Sequence, residues 1–409
     1  MNQETIGDCC ELVSEQVDPQ KYAGTLYVGL EHLVAGRCSR IGGGVAADVQ
    51  SSKFRFKKGD VLYGKLRPYL DKAILADTDG VCTTELLVLR PKYGVDARFM
   101  VGVLHAPAFV EHAMSGVTGV QHPRTSWNRV SEFLVPRLAP SERRRIGDAV
   151  WAVERALSLC GDALAAAEQL KQVAMRELFA RGLRREVQKH TDYGPIPESW
   201  SVAKLGECAT VQTGVAKGRK FGDTETIRVP YLRVANVQDG RLDLKNVKTI
   251  EIKATEEQRY LLRPGDVVLT EGGDLDKLGR GFIWRNQLES CVHQNHIFAV
   301  RPDSERLLPD YLAHLVQGAY GKAYFLRVAH KTTNLACINT TKLKAFPVPL
   351  PSLKEQWEII AILDAIDRKI DLHKRKASIL EKLLKTLLNA LMAGAVGRMT
   401  RSSGTEQGR

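Results

Sequence analysis

No Cys-x-x-Cys pair occurs in the 409 residues; the eight cysteines are scattered, a distribution that fits reduced structural thiols better than a disulfide framework. Long apolar runs are missing as well. The longest, Leu387 to Val396, is interrupted by Asn389 and falls short of the roughly 20 residues a membrane span needs. Met1-Asn2-Gln3-Glu4 has neither a basic head nor an apolar core, so a secretory signal is not expected, and a cytoplasmic protein without a membrane partner is. There is no Pro-Pro dipeptide, which removes the Asn-Pro-Pro-aromatic loop that grips a flipped base in amino-methyltransferases. Gly64-Lys65 and Gly321-Lys322 continue into Leu66 and Ala323 rather than Ser or Thr, so no phosphate-cradling loop is present. Cys291, His293 and His296 lack a fourth ligand and the spacing of known zinc sites. Glu271, Asp274 and Lys277 imitate a nuclease set but lie around a Gly-Gly-Asp turn. No catalytic and no metal-binding residue is therefore assigned.

What remains is an ordinary globular composition, 44% hydrophobic and 26% charged, long enough for two or three domains. The net charge is +12 and the pI near 9.3, a balance that favours a polyanionic partner.

The chain contains itself twice. Ile6-Gly7-Asp8-Cys9 recurs as Leu205-Gly206-Glu207-Cys208, 199 residues on, and Tyr27 to Arg37 as Tyr231 to Arg241, at 204. Phe56-Lys57-Lys58-Gly59-Asp60-Val61 recurs as Leu262-Arg263-Pro264-Gly265-Asp266-Val267, at 206. Arg90-Pro91 matches Arg301-Pro302 at 211, and Phe133-Leu134-Val135-Pro136 matches Phe346-Pro347-Val348-Pro349 at 213. Order is kept and the offset only grows, as duplication followed by small loop insertions in copy two would leave it.

Each copy opens with a mixed domain of short strands punctuated by Gly, Asp and Pro, with helices such as Asp96–His112 and Pro309–Lys322. Each closes with a long helix, begun by Pro140-Ser141-Glu142 or Pro351-Ser352-Leu353. In the second helix the seam Ile359, Leu363, Ile366, Ile370, His373, Ala377, Leu380, Leu384, Leu387, Leu391 is apolar at nine of ten places. Stepping back 213 residues gives Ile146, Val150, Val153, Leu157, Cys160, Leu164, Ala167, Lys171, Ala174, Leu178, again nine of ten. A 3.5-residue repeat sustained this long is a coiled-coil seam; two unrelated amphipathic helices, each on its own domain, are the competing reading. Pseudo-twofold symmetry predicts an antiparallel pair. About 36 residues at ~1.5 Å each make a rod of about 54 Å; one turn of B-DNA is about 34 Å, and a rigid ruler on that scale suits two short sequence elements separated by a spacer that is measured but not read.

The chain resembles a type I restriction–modification specificity subunit. The likeness is carried by Gly194-Pro195-Ile196-Pro197-Glu198-Ser199-Trp200-Ser201-Val202 with Lys204-Leu205-Gly206-Glu207, by Tyr231-Leu232-Arg233-Val234-Ala235-Asn236-Val237 and Arg263-Pro264-Gly265-Asp266-Val267, and by Pro347 to Pro351 with Glu355-Gln356. In copy one, Gly64-Lys65-Leu66-Arg67-Pro68-Tyr69-Leu70 and Thr84 to Pro91 are similarly recognisable. Copy one departs by starting at Thr5-Ile6-Gly7 without the Pro-Glu-Ser-Trp lead-in, and by closing on Arg137-Leu138-Ala139-Pro140. The resemblance implies an α+β fold: two tandem mixed recognition domains, each followed by a long helix, the helices forming an antiparallel coiled coil. The expected segments are 1–140 and 183–351 for the recognition domains, the second with its linker, 141–182 and 352–394 for the spacer helices, and a disordered tail over 395–409. It further implies a non-catalytic subunit that binds double-stranded DNA at a bipartite site and docks two modification subunits and, through them, restriction motor subunits. S-adenosylmethionine, ATP and Mg are then expected on those partners and no cofactor on this chain. A self-contained methyltransferase or nuclease with divergent motifs, and a coiled-coil scaffold, stay open as alternatives.

Candidate DNA contacts come from loops rich in donors. Thr213, Lys217, Arg219 and Lys220 sit among glycines that allow close approach to phosphates. Arg233 and Asn236, with His32 at the matching place, offer the pairings that guanine and adenine reward in the major groove; a plain turn competes. Lys331, Thr332 and Asn334, and Gln121, His122 and Arg124 opposite them in copy one, occupy the loops before each final strand and are the preferred base readers. Lys65, Arg67 and Arg280 suit phosphates. Arg143-Arg144-Arg145 and Lys374-Arg375-Lys376 are placed on outer helix faces.

Overall fold

The computed structural model describes residues 2–115, 117, 121–273, 278–331 and 336–393. The chain divides into two compact units, Met1–Leu164 with Leu372–Arg409, and Ala165–Asp371; each is described in turn.

In the first unit the strands β1 (Cys10–Val13), β2 (Val61–Gly64), β3 (Ala73–Leu75) and β4 (Leu86–Pro91) form an antiparallel sheet in the order β1-β4-β2-β3. Beside it lie five shorter strands, among which Leu26–Val28 and Gly80–Cys82 run parallel. Helices α1 (Ala97–Leu104) and α2 (Pro107–Ser115) follow, then α3 (Pro140–Arg181). The single helix expected over Asp96–His112 is two. Asp96 caps the first, its carboxylate accepting the Phe99 N–H at 3.0 Å, and Pro107 starts the second because it has no N–H with which to continue the ladder.

The second unit repeats the plan. Strands β5 (Ala209–Thr213), β6 (Val267–Thr270), β7 (Gly281–Ile283) and β8 (Ile297–Pro302) pair as β5-β8-β6-β7, again antiparallel throughout. Tyr231 and Leu232 run parallel to Val292 and His293, as the two parallel strands do in the first unit. Helix α4 (Pro309–Gln317), helix α5 (Ala319–Val328) and the part of α6 (Leu353–Met392) up to Asp371 complete it. Here too the expected helix Pro309–Lys322 is broken, at Gly318, whose extended backbone ends α4 and opens α5.

The repeated motifs turn out to be one constellation built twice. Gly59 and Gly265 both take φ of 92°, which an L side chain strongly resists. This turn lets Asp60 and Asp266 accept the N–H of Lys57 and Arg263, each at 2.8 Å. The same carboxylates receive Arg90 (2.8 and 2.7 Å) and Arg301 (2.7 and 2.7 Å) in two-pronged ion pairs. Gly-Asp-Val and Arg-Pro, about 30 residues apart in sequence, are thus the two halves of a single clamp between adjacent strands.

Antiparallel helix pairing appears inside each unit. In the first, a Cβ on Gly102 would meet Val150, Leu388 and Leu391 together, while Cys160 Sγ donates to the carbonyl of His373 at 3.2 Å. Progress from 150 to 160 on α3 therefore matches retreat from 388 to 373 on α6. In the second unit Lys171 bonds Asp367 at 2.7 Å, and the Leu183 N–H reaches Glu355 at 3.3 Å, the same sense. The seam also does more than join helices. Ile146, Val150, Val153 and Leu157 with Leu384, Leu388 and Leu391 belong to the core that holds Phe99, Val103 and Phe109. Ile359 and Leu363 belong to the core of the second unit, with Met175, Phe179, Trp200 and Tyr311. Leu164, Leu178, Ile366, Leu380 and Leu387 are half-buried, and Ile370 is buried.

Candidate nucleic-acid interface

The structure joins two loops that are far apart in sequence. Beyond β2, the Lys65 N–H donates to Glu85 O (3.0 Å), Lys65 O accepts the Thr125 N–H (3.0 Å), and the Arg67 N–H donates to Pro123 O (2.7 Å). Lys65 and Arg67 are half-buried while Gln121, His122 and Arg124 are exposed, so these five candidates form one patch. The loop is held under strain: Arg67 and Asp71 take φ of 52° and 49°, a region that favours glycine. His105 braces it from beneath, Nδ1 to Asp71 at 2.7 Å and Nε2 to Ala73 O at 2.8 Å. Arg124 is paired with Glu85 at 3.0 Å, a partner absent from the sequence-derived candidates. Their separation of 39 residues carries no local signal.

In the second unit the matching edge is made of Gly272 and Gly273 opposite Cys337 and Ala336, with His330 and Lys331 on the far side of the latter strand. Glu271 N–H donates to His296 O at 3.0 Å, and His296 Nδ1 lies 2.6 Å from Glu271. The side chain of Lys331, and Thr332 and Asn334 altogether, lie outside the described residues, as do Asp274 and Lys277 and the tail from 394 onward. Arg280 sits beside Gln238, 3.4 Å away.

Other candidates are corrected by their partners. Asn236 is buried; its amide donates to Asp243 O (2.8 Å) and Asn246 O (3.2 Å), and its carbonyl accepts the Arg233 N–H (2.9 Å). His32, its counterpart, accepts the Gly29 N–H at Nδ1 (2.9 Å). Asn236 closes a turn on its own backbone and presents no base-reading edge, so the turn reading prevails there; His32 is tied to its turn at Nδ1. Arg233 is drawn to Asn246 O at 2.8 Å. In the Thr213–Lys220 loop, Arg219 is held end-on by Glu256 (both contacts 2.9 Å), an arrangement that keeps the Glu256 carboxyl below its usual range through that hydrogen bond. Thr213, Lys217 and Lys220 remain exposed, with Lys217 Nζ over the Tyr231 ring at 5.9 Å. Arg143 faces inward, not outward: it is buried, pairs with Glu4 and stacks on Phe99.

The zinc-like trio disperses. His293 is buried, its Nδ1 bonds Ile297 O at 2.8 Å, and burial lowers its pKa to about 4; burial also pushes the Cys291 thiol up to about 12. Among the described residues the one His/Asp group close enough to hold a cation is His314, Asp364 and Asp367. There the Lys171 ammonium already lies within 2.8 Å of Asp367 and supplies the positive charge.

The family model of the type I restriction modification DNA specificity domain matches residues 197–382. That segment is similar to the specificity domain of type I restriction–modification systems. Among curated specificity subunits, it is 29% identical to the putative type I restriction enzyme MjaX specificity subunit of Methanocaldococcus jannaschii, over 52% of this chain and 50% of that protein. To the MjaVIII specificity subunit of the same organism it is 25% identical, over 68% of this chain and 65% of that one. The chain thus spans about half the length of the first specificity subunit it matches and 65% of the second. The solved S subunit of a type I restriction-modification system from M. genitalium shares the fold, with a TM-score of 0.61 at 14% identity over 96% of both chains. A chain solved in work on complex assembly and conformational transition of the type I R-M system gives 0.55 at 21% identity, over 96% of this chain and 97% of that one. The match covers the head of the second unit and runs on into α6, and the first unit repeats the order of that unit's four-stranded sheet.

Proposed function

We propose that this chain is the DNA-specificity subunit of a type I restriction–modification complex, each unit reading one half of a bipartite site. The observation that carries the reading is the duplication itself: the second unit holds the specificity-domain match, and the first repeats its sheet order and its Asp–Arg clamp. Two readers in one chain suit a split target. The donor-rich loops of the first unit, Lys65, Arg67, Gln121, His122 and Arg124, and Lys217, Lys220, Arg280 and Lys331 in the second, are its proposed contacts. The chain itself is non-catalytic. Methyltransferase subunits dock on the long helices, whose exposed apolar side chains (Leu159, Leu170, Trp357, Ile362, Leu372 and Ile379) suit a protein partner, and restriction motor subunits join through them. S-adenosylmethionine, ATP and Mg belong to those partners, in the cytoplasm. The length of α3 and α6, about 60 Å at ~1.5 Å per residue, sets the spacer between half-sites.

The test is duplex DNA binding by the purified chain across a salt series. Log K falls linearly with log salt, by about 0.9 per phosphate neutralised; a flat response would favour a coiled-coil scaffold. Methyl transfer or cleavage by the chain alone would favour the self-contained enzyme.

A further inference from the structure

Arg124 has five N–H groups in a rigid fork. Glu85 engages one edge: Nε lies 3.0 and 3.4 Å from its two carboxylate oxygens and Nη2 lies 3.3 Å from one of them. Nη1 is 3.4 Å from His122 O. Among the described residues these contacts engage three of the five donors, leaving one each on Nη1 and Nη2 of a side chain that is 45% exposed. Arg219 is the contrast, because Glu256 takes both of its Nη atoms at 2.9 Å and closes the end of the fork. The strand edge behind Arg124 is fixed by the Leu66–Arg124 bridge and the Lys65–Thr125 and Arg67–Pro123 hydrogen bonds, so the fork is presented from a stiff base.

Two parallel N–H groups fit two acceptors side by side. In duplex DNA these are the O6 and N7 of guanine in the major groove, or a pair of phosphate oxygens. Glu85 decides between them. Its carboxylate offsets the charge of Arg124 and repels a phosphate brought to the same place, while a neutral base edge meets no such repulsion. We infer that Arg124, held side-on by Glu85, reads a guanine through O6 and N7 in the half-site of the first unit, with Glu85 as the positioning residue. The inference rests on the DNA-specificity reading above. At the matching station of the second unit, Gly272 faces Cys337 where Leu66 faces Arg124, and His296 stands where Glu85 does. The guanine contact therefore belongs to one half-site and helps to make the two halves different.

The test uses the full chain. Randomised duplex DNA is selected by the wild type, and each guanine of the selected sequence is then replaced singly by 7-deazaguanine, which lacks N7. One guanine is expected at which the replacement weakens binding about tenfold. Arg124→Lys, which keeps the charge and loses the fork, should be indifferent to the same replacement, and Glu85→Gln should narrow the ratio between guanine and 7-deazaguanine. Loss of affinity at no guanine, or an unchanged ratio in Arg124→Lys, would overturn the inference and leave Arg124 a phosphate contact. Because the modified-base arm uses wild-type protein, a variant that misfolds does not decide the matter. Failure of the wild type to select any sequence would sink the specificity reading itself, and this inference with it; a selected sequence untouched by Arg124→Lys sinks only this one.

Discussion

His105 ends α1 with acceptors against both ring nitrogens, Asp71 on one side and the Ala73 carbonyl on the other. Both nitrogens must donate, so the ring is an imidazolium. Burial by itself would lower its pKa; the hydrogen bonds to Asp71 and Cys38 outweigh burial and hold it well above the ordinary value. A raised folded-state pKa contributes stability that is complete below the unfolded value of about 6.5 and is lost as pH climbs through the folded one. Thermal melting should therefore show His105→Gln far below wild type at pH 6, with the gap shrinking steadily into the alkaline range; a gap independent of pH would refute the imidazolium. The clamp gives a second prediction. Asp266 has a side chain with 0% exposure, so Asp266→Asn leaves Arg301 without its countercharge and should cost about 3 kcal/mol in urea unfolding. Asp60→Asn should act alike in the first unit, since the sequence repeat and the geometry repeat together.

The long helices show how a seam is read and where it misleads. A 3.5-residue repeat announces a helix pair, and within each unit the pair is antiparallel. The pattern does not announce that the outer thirds of both seams are shared with the globular cores, because an apolar side chain satisfies either neighbour equally. Polar places in the seam are informative for the same reason. Cys160 and His373, equivalent positions of the two copies, meet each other, and Lys171 meets Asp367, so each polar group is matched and fixes the register. Removing seven residues from the midpoint of both helices in register keeps every seam contact in phase. Selection of randomised DNA by such a variant should return the same half-site letters with a shorter spacer; altered letters would disprove helix length as the ruler.

Across the whole molecule, the duplication predicts modular behaviour. On the proposed function, replacing residues 1–140 by the corresponding domain of a type I specificity subunit should change one half-site and leave the other as it was, read by the same selection experiment; a change in both would mean that the heads do not read independently. A basic balance of +12 favours a polyanionic partner but dictates no choice of sequence. Choice rests with side chains whose donors are left over after folding, and these are fewer than the cationic residues in the loops: Arg219 is closed by Glu256 and Asn236 by its own turn, while Arg124 keeps an open end.

Read along the chain, the duplicated Gly-Asp-Val and Arg-Pro motifs and the paired helices with their common phase were legible, because caps, turns and apolar periods are set by neighbours within a few residues. The breaks at Pro107 and Gly318 were legible only as residue types. What folding alone decided was which polar side chain faces which. Glu85 and Arg124, His105 and Asp71, and Arg219 and Glu256 come from distant segments, and whether a donor is engaged or open depends on the strand register and packing that bring those segments together.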